Sequence, residues 1–347
     1  MATATYKCPN CGGGLKFEPD IQKSRCEYCL STFTDAELAA ASQAIDDQAR
    51  RAAKGEHSHL KGYTCNSCGA EVVTEETTSA TFCYYCHNPV LLTERLSGDF
   101  KPTRIVPFSY DREKATEAFL KWAKKRKFVP KTFYSTSQLE KISGVYLPYW
   151  MADVEADVDI AGKGINRRTW RVGDTEFTEH KEFTIARQGT IDVNNVHEVA
   201  MRKLDKGLID SISPYDETQS LDFSMSYLSG FLAEKYDIPR EEVQPQLENK
   251  AREFSRLLVQ ESIGSYDQVQ LERDRIDLKI KDWNYALLPA WILTYLYNGK
   301  TYVYAVNGQT GKSHGELPVD NKKLSLTAIL VALGLLALAL LGGAFLW

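Results

Sequence analysis

Asp153-Val154-Glu155-Ala156-Asp157-Val158-Asp159-Ile160 alternates an acidic residue with an apolar one over its whole length. That is the period of a half-buried β-strand, with one face on a core and the other in water. Leu147-Pro148-Tyr149-Trp150 leads into it, and Gly162-Lys163-Gly164 follows it as a turn, after which Arg167, Thr169 and Arg171 alternate on the return. Folded about Lys163, Asp159 faces Arg167 and Glu155 faces Arg171. Opposite charges paired across strands contribute roughly a few tenths of a kcal/mol each, which favours this register. The acidic row is accordingly read as a strand face partnered by arginines rather than as a calcium site.

A second β unit echoes the first. Leu288-Pro289-Ala290-Trp291 opens it, Ile292 to Tyr297 continues it, and Asn298-Gly299 reverses the chain into Thr301-Tyr302-Val303-Tyr304-Ala305. Asn-Gly between alternating apolar runs is a strong hairpin signal, because both residues tolerate positive φ. Helical patterns lie around these units: Asp111 to about Lys127, with Ala115, Phe119 and Trp122 on one face, then Phe223 to Tyr236, then Arg240 to about Ser262. The fold class expected is α+β, with a domain over 100–315 built from two related halves.

Upstream of this domain the chemistry changes. All eight cysteines fall into one repeated pattern, C-x2-C-x14-C-x2-C: Cys8, Cys11, Cys26 and Cys29, then Cys65, Cys68, Cys83 and Cys86. Two Cys-x2-Cys knuckles joined by a short β excursion place four thiolates at about 2.3 Å around one tetrahedral zinc ion. Gly12 and Gly69 follow the second cysteine of each unit, where tight turns aim backbone N–H groups at sulfur. A ribbon of this size is too small to fold on apolar burial, and metal binding supplies the missing stability. Two zinc ribbons, 5–33 and 61–95, are therefore expected, each holding one structural Zn2+. With four thiolates apiece, neither ion has an open position for a water. Thr34-Asp35-Ala36-Glu37 is a capping box that starts an Ala-rich helical run to about Lys54, within a helical spacer and polar linker over 34–60. His57 and His59 sit in its polar end, and His87 beside Cys86 reads as a neighbour of the metal site rather than a ligand.

The C-terminus differs again. Leu324 to Trp347 contains no charged residue, His, Asn or Gln, and at 24 residues it is long enough for the ~30 Å apolar core of a bilayer. Lys312, Lys322 and Lys323 precede it and no basic residue follows, so the positive-inside rule places the rest of the chain in the cytoplasm. The start of the chain has no apolar run, which reads as no secretory signal and a reducing compartment. Single-pass attachment to the cell membrane by a transmembrane anchor at 324–347 is the expectation.

Other signals are weaker. A net charge of −4 argues against a general nucleic-acid binder. The basic run Lys121, Lys124, Lys125, Arg126, Lys127 and Lys131 fits a solvated helix face, an anionic lipid surface or nucleic acid. Gly308-Gln309-Thr310-Gly311-Lys312-Ser313 looks like the end of a phosphate-binding loop, but Val306 stands where that motif needs its first glycine, and Gly315 and Pro318 follow where it needs a helix. It reads as a turn after a strand. No catalytic constellation stands out, and the chain is not expected to be an enzyme.

Taken together, Tyr6-Lys7-Cys8-Pro9-Asn10-Cys11-Gly12-Gly13, Cys26-Glu27-Tyr28-Cys29, Val145-Tyr146-Leu147-Pro148-Tyr149-Trp150, Tyr227-Leu228-Ser229-Gly230-Phe231 and Asn307-Gly308-Gln309-Thr310-Gly311-Lys312 resemble a bacterial family of TFIIB-type double zinc-ribbon, tail-anchored membrane proteins. The resemblance covers nearly the whole chain and carries the family's metal positions onto all eight cysteines. It implies a scaffold in an envelope-stress complex at the membrane, with a phage-shock protein A homologue, a flotillin-like SPFH protein and a TPM-domain protein as partners. Exposed aromatics such as Tyr84 and Tyr85 are candidate contacts for them. A membrane-tethered nucleic-acid binder using the ribbons and the 121–131 segment is the alternative.

Overall fold

The computed structural model describes residues 6–11, 13–38, 60–65, 71–83, 88–130, 133, 139 and 142–345. Strands β1 (Leu15–Glu18), β2 (Lys23–Cys26) and β3 (Thr32–Phe33) form a small antiparallel sheet, and β4 (Leu60–Thr64) pairs with β5 (Glu71–Glu75). β6 (Thr78–Phe82) and β7 (Pro89–Leu91) instead enter a ten-stranded mixed sheet. This sheet continues through β8 (Arg104–Ile105), β9 (Ser143–Val172), β10 (Thr175–Val199), β11 (Leu221–Asp222), β12 (Leu232–Glu234), β13 (Gln268–Tyr297), β14 (Lys300–Asn307) and β15 (Ser313–Gly315). Among the described residues, four α-helices accompany it: α1 (Arg112–Lys124), α2 (Lys206–Ile212), α3 (Arg240–Ile263) and α4 (Asn321–Phe345). The fold class is α+β, as expected.

The expected turn at Gly162-Lys163-Gly164 does not form. β9 runs straight through it for 30 residues and reverses at Gly173-Asp174, where Val172 faces Thr175. These glycines serve close approach instead. A Cβ on Gly162 would lie 2.2 Å from the Gln270 carbonyl oxygen, where β13 is bulged, and one on Gly164 would meet the Tyr266 ring at 2.6 Å. The acidic row is partnered, but by the neighbouring strand rather than by Arg167 and Arg171: Asp159 pairs with Arg273 at 3.1 Å, and Glu155 pairs with Lys281. Asp153 and Asp157 accept hydrogen bonds from the Asn195 N–H (2.8 Å) and the Thr190 hydroxyl (3.0 Å).

β9 and β13 lie antiparallel from Ile165–Gln268 to Ser143–Ile292, with Leu147 opposite Leu288. An approximate twofold axis passes between the two Leu-Pro motifs, and the surroundings obey it. β12 runs parallel to β9 with Ala233 beside Tyr146, while β8 runs parallel to β13 with Ile105 beside Leu287. The Trp150 indole donates to the Ile238 carbonyl at 2.9 Å, and the Trp291 indole to the Tyr110 carbonyl at 2.8 Å. The Ala200 N–H bonds the Pro148 carbonyl while the Ala200 carbonyl accepts Asp237 and Ile238; Gly308 does the same between Pro289 and Ser109 with Tyr110. Each half thus reads strand–helix–strand–strand, β8-α1-β9-β10 and β12-α3-β13-β14.

The main core gathers at this axis, where Phe108 stacks on Phe231 at 4.2 Å with Tyr146 and Trp291 edge-on to both. α1 starts as predicted, capped by Asp111, whose carboxylate accepts the Lys114 N–H at 2.7 Å. Ala115, Phe119 and Ala123 are its buried face, with Trp122 half-buried beside them. The Asn298-Gly299 hairpin also forms, with both residues at positive φ. The segment 223–236 is not a helix: a short 3-10 turn over Met225–Leu228 gives way to β12, which the sheet recruits between β6 and β9. Pairing with two neighbours outweighs a local helical period there.

Away from the core, β13, β9 and β10 continue side by side as a three-stranded arm. Thirty residues of strand extend for about 100 Å. α3 covers one face of the arm near its base, setting Val259 and Ile263 on Ala156, Val158, Ile160 and Ile185. At the other end of the chain α4 leaves Leu326, Ile329, Leu330, Val331 and Leu333 exposed around it. Among the described residues no helix is long and apolar enough to cross a membrane. The side chains of α4 are described only to Leu335, so the expected anchor at 324–347 runs past them.

Candidate metal centre

Cys8 and Cys11 flank a knuckle closed by the Cys8 N–H to the Gly13 carbonyl (2.7 Å) and by the Leu15 N–H to the Tyr6 carbonyl (3.0 Å). Cys26 ends β2 and begins the second knuckle, in which its N–H reaches the Ser31 carbonyl (2.9 Å) and its carbonyl accepts the Leu30 N–H (3.0 Å). Leu30 takes a positive φ of 61° to make that turn. The β1–β2 pair, with Leu15 opposite Cys26, brings the knuckles face to face.

All four sulfurs then lie within 4.8 Å of one another. Cys8 and Cys29 are 3.5 Å apart, and Cys11 and Cys26 are 3.4 Å apart. Four thiolates bound at ~2.3 Å around a tetrahedral ion stand about 3.8 Å apart, so the cluster is already near the size a metal requires. Cys8 and Cys26 are buried while Cys11 and Cys29 face out, leaving the cluster at the surface but backed by Leu15 and Leu38. Its protonation is uneven. The Gly13 N–H pulls the Cys11 thiol down, but the crowding of Cys26, Cys29 and Cys8 outweighs it and pushes the thiol up to about 12. The Ser31 hydroxyl and N–H hold Cys29 down to about 6. Neighbouring thiolates repel, and a bound cation is what allows all four to ionise together. The four cysteines can hold a metal ion, and every ligand position of a tetrahedral ion is then filled.

Half of the second set is described. Cys65 and Cys83 are both buried, in a cluster with Tyr63, Val90 and Leu92. The Cys83 N–H bonds the Asn88 carbonyl at 3.0 Å, repeating the five-residue closure from Cys26 to Ser31. Cys68 and Cys86, Gly12 and Gly69, His57 and His59, the spacer beyond Leu38, Tyr84, Tyr85, His87 and Lys131 lie outside the described residues.

The first ribbon is docked on the main sheet, a connection that cysteine spacing does not announce. The Phe17 N–H donates to the Ser229 carbonyl at 2.8 Å, the Ser229 hydroxyl returns a bond to Leu15, and Phe17 meets Tyr227 edge-on at 5.1 Å. The capping box forms, with the Thr34 N–H on the Glu37 carboxylate at 2.7 Å and the Glu37 N–H on the Thr34 hydroxyl at 3.3 Å. Asp35 inside it accepts the hydroxyls of Ser224 (2.6 Å) and Ser226. The serines of 224–229 were thus a legible hint, since small hydroxyl residues flanking aromatics suit a polar dock.

The loop 307–312 is a structural turn. The Asn307 side chain accepts the Gln309 and Thr310 N–H groups at 2.9 Å each and donates to the Ile212 and Pro214 carbonyls at 3.0 and 3.1 Å. Lys312 spends its ammonium on the Ser213 carbonyl.

No protein-family profile matches the chain, and no solved structure matches it. Over 326 residues, 92% of each chain, it is 31% identical to the uncharacterized protein YdjG of Bacillus subtilis (strain 168).

Proposed function

We propose that this chain, which belongs to the family of YdjG, is a zinc-stabilised adaptor fixed to the cytoplasmic face of the cell membrane by α4. The observation that carries this reading is what lies at the foot of α4. The Asp320 N–H donates to the Phe128 carbonyl at 2.7 Å and the Lys323 ammonium to the Val129 carbonyl at 2.9 Å. This brings Lys121, Lys124, Lys125, Arg126 and Lys127, all exposed, to the level where the apolar helix begins, beside Lys322. Basic residues next to an apolar span meet the anionic lipid surface, each adding roughly 1 kcal/mol. A helix that is apolar on every side, and whose side chains are largely exposed among the described residues, calls for lipid or protein around it.

Zinc is the metal that a closed set of four thiolates suits best, and the matching closure at Cys83 supports a second ion in the second ribbon. The paired settings of β9 and β13 support a duplicated strand–helix–strand–strand unit as the body of the adaptor. Membrane attachment concentrates such a body at a surface, so modest affinities suffice for recruitment. Protein partners are the primary reading, with the phage-shock-type assembly that the sequence resemblance implies as the first candidates.

Three measurements test this. In a density-gradient flotation of cell extracts, the full chain should rise with the membranes and a chain ending at Asp320 should stay at the bottom. Two zinc ions per chain are expected by metal analysis. Affinity capture from mildly solubilised membranes should return protein partners that a Cys26→Ser/Cys83→Ser variant loses. Flotation unchanged by the truncation would sink the anchor, and salt-sensitive recovery of nucleic acid without a protein partner would favour the alternative.

A further inference from the structure

The arm has two long edges, and the chain treats them differently. The outer edge of β13 is interrupted by bulges between Leu271 and Arg273 and between Ile280 and Asp282. Bulges twist an edge away from foreign strands and protect it. Among the described residues β10 pairs only with β9; it has no proline and runs without a bulge from Thr175 to Val193. Its outer edge is a flat row of backbone donors and acceptors.

The register identifies what fits that edge. The two-residue turn at Gly173-Asp174 makes Val172 and Thr175 the first hydrogen-bonded pair, so the backbones of the odd-numbered residues face β9. Those of Glu176, Thr178, His180, Glu182 and Thr184 face outward. If a second β10 lies antiparallel with His180 opposite His180, these residues pair among themselves and form about ten hydrogen bonds. The odd-numbered side chains then meet at the close, non-hydrogen-bonded positions. Glu179 falls opposite Lys181 twice, and Phe177 falls opposite Phe183 twice. Each phenylalanine is already backed by an aromatic, Phe177 by Trp170 at 5.8 Å and Phe183 by Tyr266 at 5.6 Å. Trp170, Phe177 and Phe183 are more than two-fifths exposed in the single chain, which is costly for an arm standing alone.

We propose that two copies of this chain pair antiparallel along β10 about a twofold axis at His180, joining their arms into one six-stranded sheet. The strand is its own complement in charge and in aromatic content at this one register. A shift by two residues sets Glu179 against Glu179 or Lys181 against Lys181. The pairing ends where Arg187 turns away to bond Ser262 at the α3 terminus.

The test is sedimentation equilibrium of the full chain in detergent micelles across a concentration series. The wild type should be a dimer. Lys181→Glu and Glu179→Lys should each weaken the dimer roughly tenfold or more, because each turns both attractive pairs into repulsive ones. Mixed together, the two variants should associate like the wild type, since glutamates then face lysines across the axis. No unfolding effect produces that rescue. His180→Pro removes an outward N–H while sparing the bonds to β9, and should also yield a monomer with unchanged far-UV circular dichroism. A monomeric wild type, a dimer indifferent to both charge variants, or a mixture that stays monomeric would each overturn the proposal, the first leaving the edge to a strand of a different protein.

Discussion

The first ribbon and the centre of the large sheet are held together by opposite means, although they touch. The ribbon has few apolar residues to bury, Leu15, Phe17 and Leu38 among them, and its two knuckles meet at the four sulfurs, where the Asn10 amide also donates to the Ser31 hydroxyl at 2.9 Å. The sheet centre buries aromatics on aromatics, Phe108 on Phe231 and both against Trp291, with no ligand needed. Small size forces the difference: a ribbon of some thirty residues has too much surface for its volume. The lesson is that this protein has a conditional part and an unconditional part, with Ser224, Ser226 and Ser229 at the seam.

Metal removal should break the comparison open with the largest effect. Zinc binding stabilises such ribbons by roughly 10–16 kcal/mol in apparent terms. A chelator, or Cys26→Ser, should therefore expose amides of β1 to β3 to hydrogen exchange while β9 and β13 stay protected. Equal loss of protection in both regions would show that the ribbon is not separately conditional. At the sheet centre, Phe231→Ala should cost about 3–5 kcal/mol and lower the main melting transition, leaving metal stoichiometry intact.

A smaller effect separates charge from packing. Glu198 is buried in β10, and its carboxylate meets Lys206 at 2.5 Å and Lys250 at 2.7 Å, with Asp210 also on Lys250 at 3.2 Å. Removing it as Glu198→Ala should cost about 2 kcal/mol, less than a fully buried pair because both lysines reach water. Burial works against the charged form of Lys250, but Glu198 and Asp210 outweigh it and raise its pKa above the ordinary lysine value. Its contribution is thus complete at neutral pH and is lost as pH climbs through the raised value. The variant should show a shallower alkaline fall in stability than the wild type by chemical denaturation.

The finest comparison comes from making one substitution in both regions. Gly308→Ala would put its Cβ 2.6 Å from the buried Phe108 ring and 2.8 Å from Pro289, at an expected cost of about 1–3 kcal/mol. Gly13→Ala would approach Tyr28 at 2.5 Å, but Tyr28 is 76% exposed and can swing aside. Its cost should be roughly 1 kcal/mol or less, read as a modest fall in metal affinity. A larger loss at Gly13 than at Gly308 would reverse the assignment of rigid and yielding regions.

Much of the fold was legible. The capping aspartate of α1, the Asn298-Gly299 reversal and the extent of α3 follow from local rules of capping, turn chemistry and period. The pairing of Cys8, Cys11, Cys26 and Cys29 was legible for the same reason, since each knuckle is a local turn. Gly162 and Gly164 misled because a glycine that ends a strand and one that admits a neighbour look alike in one dimension. The segment 223–236 misled because β6 and β9, distant in sequence, compete for its backbone.

By itself, then, the sequence determined where the clustered cysteines, apolar helix and strand periods lie, because each depends on residues close together along the chain. Only the tertiary structure decided that the two Leu-Pro motifs face each other, that the ribbon rests on the serines of 224–229, and that the basic run of α1 stands at the foot of α4. Those relations join residues more than a hundred positions apart, and they are set by which surfaces can be buried together, a property of the whole packed chain.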